Sequence, residues 1–407
     1  MSMTLATPAK FRVQTLERIQ PFLGGLTTGN PETSISFPIM TANSVLVNDV
    51  PMQGKGFYSS HSELQHAAML EALPLLRRAT AEITVEPSQL GYLTVAEYGS
   101  AHGNNSFEPC SAIIQSSPLP KDSQVSLIFS DRPENDFVAL SFNIAAFESS
   151  QSSEGLFTAM VPKSFYQQIA PSASVSIGFS LACLHHLEHV PPLAEGESPV
   201  DESRISVLRQ QSHSALERFL NHRAAEIVPG GALVLSFVAQ ASTGEENYAG
   251  LVDACRRALM EMLQAGLIPM AAATAFEVPT YNRTLQDLEE LSTNGVPGKW
   301  IVKEIFEKRV VHPAGAELRA RRQNTNRGPQ RELDSEWYAK TVTDWLMAVV
   351  SGYFLKALRV GLADAYTERE GQALLAEWVQ RTKNEFLANH KDDDVNCWFI
   401  YIHLKRL

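Results

Sequence analysis

The sequence predicts an α/β protein built on a mainly parallel sheet with helices on both faces. Between residues 92 and 266, short apolar runs alternate with amphipathic segments, and turns rich in glycine and proline separate them. Parallel strands need crossover connections, which amphipathic helices of this length supply. Ligands of such sheets bind beyond the carboxyl ends of the strands, so functional residues are expected there.

Each element follows from its own pattern. A first helix is predicted over residues 58–73 and is expected to end at Pro74, because proline interrupts a helix interior. Strands are predicted over residues 92–99, 124–131, 155–162, 174–180 and 231–239. Helices are predicted over residues 105–117, 135–147, 212–227 and 250–266, with Pro109 in the first turns of the earliest of them.

The pattern changes past residue 270. A Pro-Tyr turn and an acidic helix are predicted within 276–295, a strand over 299–312, a charged loop over 313–335, helices over 342–358 and 369–390, and a final strand over 395–406. These segments are expected to build most of a cap over the sheet. Among their aromatic residues, Phe276, Tyr281, Trp337, Trp345 and Tyr353 are candidates for the wall of a substrate pocket.

The charge of the chain indicates which classes of binding partner are not expected. The formal net charge is −11, from 34 basic and 45 acidic residues, and no long run of Lys or Arg offsets it. Nucleic acid and anionic membranes are therefore not expected partners. The first 25 residues lack the apolar core of a signal peptide, and no run of about 18 apolar residues predicts a membrane span. A cytoplasmic location is expected.

The four cysteines are scattered and lack a CxxC spacing: Cys110, Cys183, Cys255 and Cys397. This pattern is typical of reduced thiols with structural roles. No metal site is predicted.

One stretch, LTVAEYGSAHGNNS (93–106), carries the strongest local signal. A predicted strand reaches Glu97, and Gly99 and Gly103 follow without the middle glycine of a G-x-G-x-x-G dinucleotide turn. The next strand ends at Asp131, where a carboxylate can hold a ribose diol. A nucleoside ligand without phosphates, such as S-adenosylmethionine, fits this combination. The alternative is a purely structural turn, with Asp131 capping the chain before Pro133.

Seven segments, in order along nearly the whole chain, resemble the SABATH (salicylate, benzoate and theobromine) methyltransferases. They are GKGFYSSHSELQ (54–65), VAEYGSAHGNN (95–105), FSDRPENDFV (129–138), KSFY (163–166), FSLACLHHLEHVP (179–191), FLNHRAAEIVPGGALVL (219–235) and FEVPTY (276–281). The resemblance implies a Rossmann-like class I methyltransferase sheet with a mostly helical cap. It also implies S-adenosylmethionine as cofactor and S-adenosylhomocysteine as product.

Cofactor contacts are carried over position by position. The matching residues are Tyr58, Ser62, Gln65, Glu97, Gly99, Asn105, Asp131, Arg132, Ser164 and Phe165. Glu97 stands at a family aspartate, and Arg132 stands where the family has an apolar residue beside the adenine. The resemblance further implies four regions: an arm or lid (1–50), a cofactor-binding domain (51–270) with a helical insertion at about 191–211, a helical cap (271–390) and a strand returning to the sheet (391–407).

The main departure lies in the acceptor pocket. Ala182 and His186 stand where the family has a tyrosine and a tryptophan, so a pocket wider or more polar than one for a benzoate-like acid is expected. The candidate acceptor-binding residues are Gln65, Ala182, His185, His186, Phe276 and Tyr281.

A carboxylate acceptor is already ionised at pH 7 and needs no base, so Gln65 and His186 are assigned to orienting it. This favours methyl ester formation on a small organic acid in secondary metabolism. A phenol or nitrogen acceptor would lose a proton, with His185 or His186 as the candidate base. A third alternative is a protein with this fold that has lost methyl transfer. A homodimer is implied by the resemblance alone.

Overall fold

Seven strands form one sheet in the computed structural model, which describes residues 62–84, 92–120, 123–151, 155–190, 201–294, 298–323 and 328–407. The strands are β1 (Tyr92–Tyr98), β2 (Gln124–Asp131), β3 (Leu156–Pro162), β4 (Val175–Leu181), β5 (Ile227–Val238), β6 (Trp300–Val311) and β7 (Asn396–Arg406). Their order across the sheet is β3-β2-β1-β4-β5-β7-β6. The predicted arm (1–50) and Tyr58 lie outside the described residues.

Ten helices accompany the sheet in the described part of the chain. They are α1 (Glu63–Ala81), α2 (Phe107–Ser116), α3 (Phe137–Ser150), α4 (Glu202–Glu226), α5 (Ala249–Gln264), α6 (Met270–Thr274), α7 (Leu285–Asn294), α8 (Pro313–Gln323), α9 (Pro329–Leu362) and α10 (Glu368–Asn389). A 3₁₀ turn, Ala363–Ala365, joins the last two.

Strand β1 illustrates why helices cover both faces of the sheet. Leu93 and Val95 point into an apolar cluster with helices α1, α2, α3, α9 and α10. Ala96 and Tyr98 belong to a second cluster on the opposite face, which includes helix α4. Successive side chains of a strand point to opposite faces, so a strand buried on both sides reads as a continuous apolar run. The predicted α/β fold is confirmed.

The strand order reverses beside β1 and creates the crevice that holds the site. Strand β1 pairs in parallel with β2 on one side and with β4 on the other. The connections that leave the carboxyl ends of β1 and β4 therefore run to opposite sides. In sheets of this topology, that divergence opens a ligand crevice.

The edge of the sheet is closed by antiparallel strands from the second half of the chain. Strand β7 pairs antiparallel with both β5 and β6. The Tyr401 hydroxyl donates to the Ala68 carbonyl at 2.8 Å and so ties β7 to helix α1. Strand β7 lies in the sheet, and β6 joins the sheet as well although it falls within the predicted cap. The other domain boundaries stay predictions.

The prediction that the first helix ends at Pro74 is wrong. Helix α1 continues through an exposed Pro74 to Ala81. Leu75, Leu76 and Ala79 are completely buried and continue the apolar stripe of the first half. Burial of this stripe outweighs the hydrogen bond that the proline removes.

Two further segments differ from their predictions. The predicted loop 313–335 contains α8 and the first turns of α9, since its charged residues form the solvent faces of helices with Ala314 and Leu318 buried. The segment 202–211, assigned to an insertion, is the first part of the continuous helix α4, while residues 191–200 lie outside the described chain.

Helix α9 is the one described helix that is long and apolar enough to cross a membrane by length and composition. Its most apolar 18-residue window has a mean hydropathy of 1.5, and 44% of that window is buried within the protein. Core helices of soluble proteins pass the same test, so this finding is weak evidence for a membrane span.

Candidate active site

A cavity of about 670 Å³ opens at the carboxyl ends of β1, β2 and β4. Two regions line it. The strand-end region is mostly polar and consists of Ser62, Glu97, the turn residues 99–102 and 104–106, Asp131, Arg132, Ser164 and Phe165. The helical region is mostly apolar and includes Tyr248, Val252, Leu259, Phe276, Trp345, Val349, Tyr353 and Trp378. This division suits a ligand with a polar end and an apolar neighbour.

The turn after β1 needs its glycines for two reasons. Gly99 and Gly103 have positive φ angles of +94° and +84°. A Cβ on Gly99 would lie 2.8 Å from Cys183 Sγ, and one on Gly103 would lie 2.7 Å from Leu140 Cδ1. The turn therefore combines a left-handed backbone with close packing on both sides, and only glycine satisfies both.

Glu97 is a buried carboxyl group at the end of β1 with spare hydrogen-bonding capacity. It is 7% exposed, and its Oε2 has no hydrogen-bond partner among the described residues. Burial raises the pKa of Glu97 to about 8, against the lowering effect of a hydrogen bond with Ser106, while the nearby Asp131 adds to the increase. A cationic ligand group at this point would satisfy Oε2 and favour the carboxylate.

Asp131 ends β2 and braces the turn. Its Oδ2 accepts a 2.7 Å hydrogen bond from the Ala101 amide, and its Oδ1 accepts one of the same length from the Arg132 amide. Burial raises the pKa of Asp131, while these two hydrogen bonds oppose the increase. Each carboxylate oxygen has a further lone pair, so the group can still accept from a ligand diol.

The remaining predicted cofactor residues also line the cavity. They are Ser62, Gln65, Asn105, Arg132, Ser164 and Phe165. The Ser164 hydroxyl donates to Glu188 Oε1 at 3.1 Å and accepts from the Tyr166 amide. The Phe165 ring packs edge-on against Phe219. The fold thus brings together every predicted cofactor residue that it describes.

His185 and His186 follow β4 and are fixed by their backbone. The His185 carbonyl accepts from the Tyr281 amide, and His186 forms a bridge with Thr280. The ring centroids are 4.2 Å apart. Burial lowers the pKa of His186 to about 4, with a smaller contribution from Arg132, and burial likewise holds the pKa of His185 well below its usual range. Both imidazoles are therefore neutral at pH 7.

Gln65, on α1, meets Trp345, on α9, inside the cavity. The indole Nε1 donates a 2.8 Å hydrogen bond to Gln65 Oε1. The two residues are 280 positions apart, so no local pattern signals the contact. The sequence indicates each residue separately, Gln65 for the acceptor and Trp345 for the pocket wall.

Not every predicted acceptor residue lines the cavity. Ala182, His185, His186 and Phe276 do, together with Trp345 and Tyr353. Tyr281 does not: its hydroxyl donates to Asp287 Oδ2 at 3.3 Å. Trp337 lies elsewhere, under the guanidinium of Arg321. Both assignments came from residue type alone, which cannot show the direction of a side chain.

One cluster of possible metal ligands, His213, Asp287 and Glu290, occurs among the described residues, outside the cavity. Arg209 forms ion pairs with both of its carboxylates. The guanidinium of Arg209 therefore already neutralises the two carboxylates that a metal ion would need.

These features define a class of protein. A parallel sheet that reverses order at β1, a glycine turn, and acidic residues ending β1 and β2 are the arrangement expected of an S-adenosylmethionine site. The unpartnered Glu97 oxygen fits this cofactor, which carries an ammonium and a sulfonium group. The class is the α/β methyltransferases that use S-adenosylmethionine.

Comparisons with known proteins identify the family. A family profile described as "SAM dependent carboxyl methyltransferase" matches residues 48–387. Methyltransferase LUC1 from Fusarium sp is 49% identical over 371 residues, covering 90% of this chain and all of that protein. O-methyltransferase acrG from Aspergillus aculeatus is 48% identical over 379 residues, with the same coverage. The chain belongs to this carboxyl methyltransferase family, the SABATH family, and the resemblance is confirmed.

The fold agrees with a solved relative. The structure of loganic acid methyltransferase with SAH matches with a TM-score of 0.65 and 21% identity, over 88% of this chain and 98% of that one. At this identity the likeness concerns the fold alone. Membership of the family shows that this protein is a methyltransferase whose cofactor is S-adenosylmethionine.

Proposed function

We propose that this methyltransferase esterifies the carboxylate of a small organic acid, in secondary metabolism. S-adenosylmethionine supplies a methyl group that its positively charged sulfur already activates. The protein then has three tasks: to bind the cofactor, to hold the acceptor oxygen in line, and to exclude water. The family description supports a carboxyl acceptor, and the site's protonation states support it independently.

The strand-end region holds the cofactor in this proposal. Glu97, with its unpartnered Oε2, neutralises cationic charge, and Asp131 accepts from the ribose hydroxyls. The turn at Gly99 allows close approach of the backbone. The remaining contacts come from Ser62, Asn105, Arg132, Ser164 and Phe165.

The lowered pKa values of the two histidines, which both line the cavity, support the choice of acceptor. With a pKa of about 4, His186 is a weak base, and the pKa of His185 is lowered as well. Removal of a proton from a phenol or a nitrogen acceptor works best with a base whose pKa lies near the operating pH. A carboxylate has lost its proton at pH 7 and needs only donors, which a neutral imidazole and the Gln65 amide provide.

Water exclusion falls to the helical region. Val252, Leu259 and Val349 present apolar surface to the same cavity as the acceptor donors Gln65 and His186. A low-dielectric wall strengthens those hydrogen bonds and limits hydrolytic side reactions. Ala182, which has a φ of +56°, takes little room at the end of β4 and leaves the cavity wide there.

A screen of acceptors tests the proposal. Purified protein is given S-adenosylmethionine and matched carboxylic acids, phenols and amines, and release of S-adenosylhomocysteine is measured. Acids are expected to be turned over fastest, with a rate that varies little above pH 6. Faster turnover of a phenol or an amine would favour a histidine base. Tight cofactor binding without transfer to any acceptor would favour the non-methylating alternative.

A homodimer and a cytoplasmic location are proposed as well, on the resemblance and on the composition respectively. Sedimentation of the purified protein and imaging of a tagged chain test these two points.

A further inference from the structure

The contact between Trp345 and Gln65 determines which atoms Gln65 offers to the acceptor. An amide side chain has an oxygen that accepts and a nitrogen that donates, and its two orientations occupy almost the same space. The indole Nε1 of Trp345 lies 2.8 Å from the atom placed as Gln65 Oε1. An indole N–H can only donate, so this atom must be the oxygen.

The amide nitrogen of Gln65 is consequently available to a ligand. Gln65 lines the cavity, and its Nε2 forms no hydrogen bond with any residue in the described ranges. Both of its N–H groups can therefore serve an acceptor oxygen. An amide without the indole partner would be able to turn and present its oxygen instead.

The indole is itself held in place. Trp345 is 4% exposed and has the rings of Tyr248 and His312 edge-on at centroid distances of 5.6 and 5.7 Å. His312 Nδ1 accepts from the Ala314 amide, which fixes the imidazole in turn. Aromatic contacts of this geometry restrict ring rotation in a packed core.

We propose that Trp345 is a positioning residue that fixes the hydrogen-bond polarity of Gln65 and so selects an acceptor group made of hydrogen-bond-accepting oxygens, as a carboxylate is. Trp345 acts through the amide without itself binding the reacting oxygen. A primary carboxamide of the same shape is expected to bind less well, because it offers one accepting oxygen where a carboxylate offers two. This inference rests on the proposed carboxyl methylation.

The test compares three proteins with the acid that the acceptor screen finds to be turned over fastest. Trp345→Phe keeps an aromatic ring but removes the N–H, and its KM for the acid is expected to rise about three- to tenfold, the range for one lost hydrogen bond. Its kcat is expected to change less than twofold, and its cofactor affinity to stay the same. Trp300→Phe is the matched control, because it removes an indole N–H donated to the Leu220 carbonyl away from the cavity.

Two further measurements separate positioning from general damage. The primary carboxamide of the same acid, used as an inhibitor, is expected to bind Trp345→Phe relatively better than it binds the parent protein. In a Gln65→Ala background, Trp345→Phe is expected to leave the KM for the acid unchanged, because no amide remains to be oriented.

The contrary outcomes are distinct. An unchanged KM and unchanged carboxamide discrimination in Trp345→Phe would overturn the inference, as would an equal increase in KM with and without Gln65. Should Trp345→Phe fold poorly, Gln65→Glu provides the test: with one oxygen on the indole, the other faces the acceptor, and turnover of the acid should fall. Retained turnover would then overturn the inference. If the parent protein turns over no acid, the proposed function itself fails.

Discussion

At the level of single residues, the site depends on two acidic side chains at the ends of adjacent strands, of which Glu97 is buried and Asp131 is partly buried. Glu97 and Asp131 lie at the carboxyl ends of β1 and β2, and burial raises the pKa of each. Both carboxylate oxygens of Asp131 accept hydrogen bonds from backbone amides, whereas Glu97 Oε2 has no partner among the described residues. This difference predicts different responses to substitution and to pH.

Asp131→Ala is expected to weaken S-adenosylmethionine binding about 10- to 100-fold, the range for lost hydrogen bonds to a charged group. The residue also braces Ala101, so a small loss of stability should accompany the change. Calorimetric titration measures the affinity. Asp253→Ala is the control, because Asp253 binds Arg257 and His390 outside the cavity. Equal affinities in Asp131→Ala and the parent would refute the ribose role.

Cofactor binding near pH 7 is expected to release close to one proton. With a pKa of about 8, Glu97 is mostly protonated before binding, and a cationic ligand lowers that pKa so that the proton leaves. Above about pH 9 the carboxyl is already ionised and the release should vanish. Titrations in buffers of different ionisation enthalpy measure the proton count. A count near zero at pH 7, or an unaltered count in Glu97→Gln, would contradict this assignment.

At the scale of the element, helix α1 carries Gln65 into the cavity despite an interior proline. Pro74 is exposed and has no amide hydrogen to donate to the carbonyl of Leu70. Pro74→Ala restores that donor and is expected to raise the free energy of unfolding by about 1–2 kcal/mol, after the entropy lost from the unfolded chain is subtracted. Denaturant titration measures it.

Pro313 provides the control for this prediction. It is the first residue of α8, where an amide hydrogen has no partner within the helix. Pro313→Ala is therefore expected to leave stability unchanged or slightly lower. A fall in stability for Pro74→Ala would mean that the proline shapes the packing of α1.

Individual helices and strands also differ in how well the sequence predicts them. The sequence predicts strand β2 with its observed bounds, Gln124–Asp131, because a short apolar run between turn residues has a simple pattern. Helix α8 was missed because its charges suggested a loop, although Ala, Leu, Glu and Arg favour helices. The predicted residues at the strand ends lie together in one cavity, because the topology brings those ends together.

Contacts between helices that are distant along the chain could not be predicted from the sequence. The bond from Trp345 to Gln65 depends on how α9 packs over α1, and no spacing encodes that. The direction of Tyr281, which turns to Asp287 and away from the cavity, depends likewise on its neighbours. Side-chain direction is a property of the packed structure.

At the scale of the whole molecule, one cavity joins both halves of the chain. Helix α1 and the strand ends supply its polar region, and α5, α9 and α10 supply apolar walls. S-adenosylhomocysteine at 100 times its dissociation constant should stabilise the folded protein by about 2.7 kcal/mol, which for a chain of this length is about 3 °C in Tm. Scanning calorimetry should show one transition that shifts as a unit. Two transitions, of which only one moves, would contradict this coupling.

Transfer of the methyl group to a carboxylate, rather than to a phenol or a nitrogen, is revealed by the stability of the product to alkali. The protein is incubated with methyl-labelled S-adenosylmethionine and the best acid of the screen, and the product is treated with mild alkali. The label is expected to be released as methanol with recovery of the free acid, because a methyl ester hydrolyses in alkali. A label that stays in an alkali-stable product, as in a phenol ether or an N-methyl compound, would contradict it.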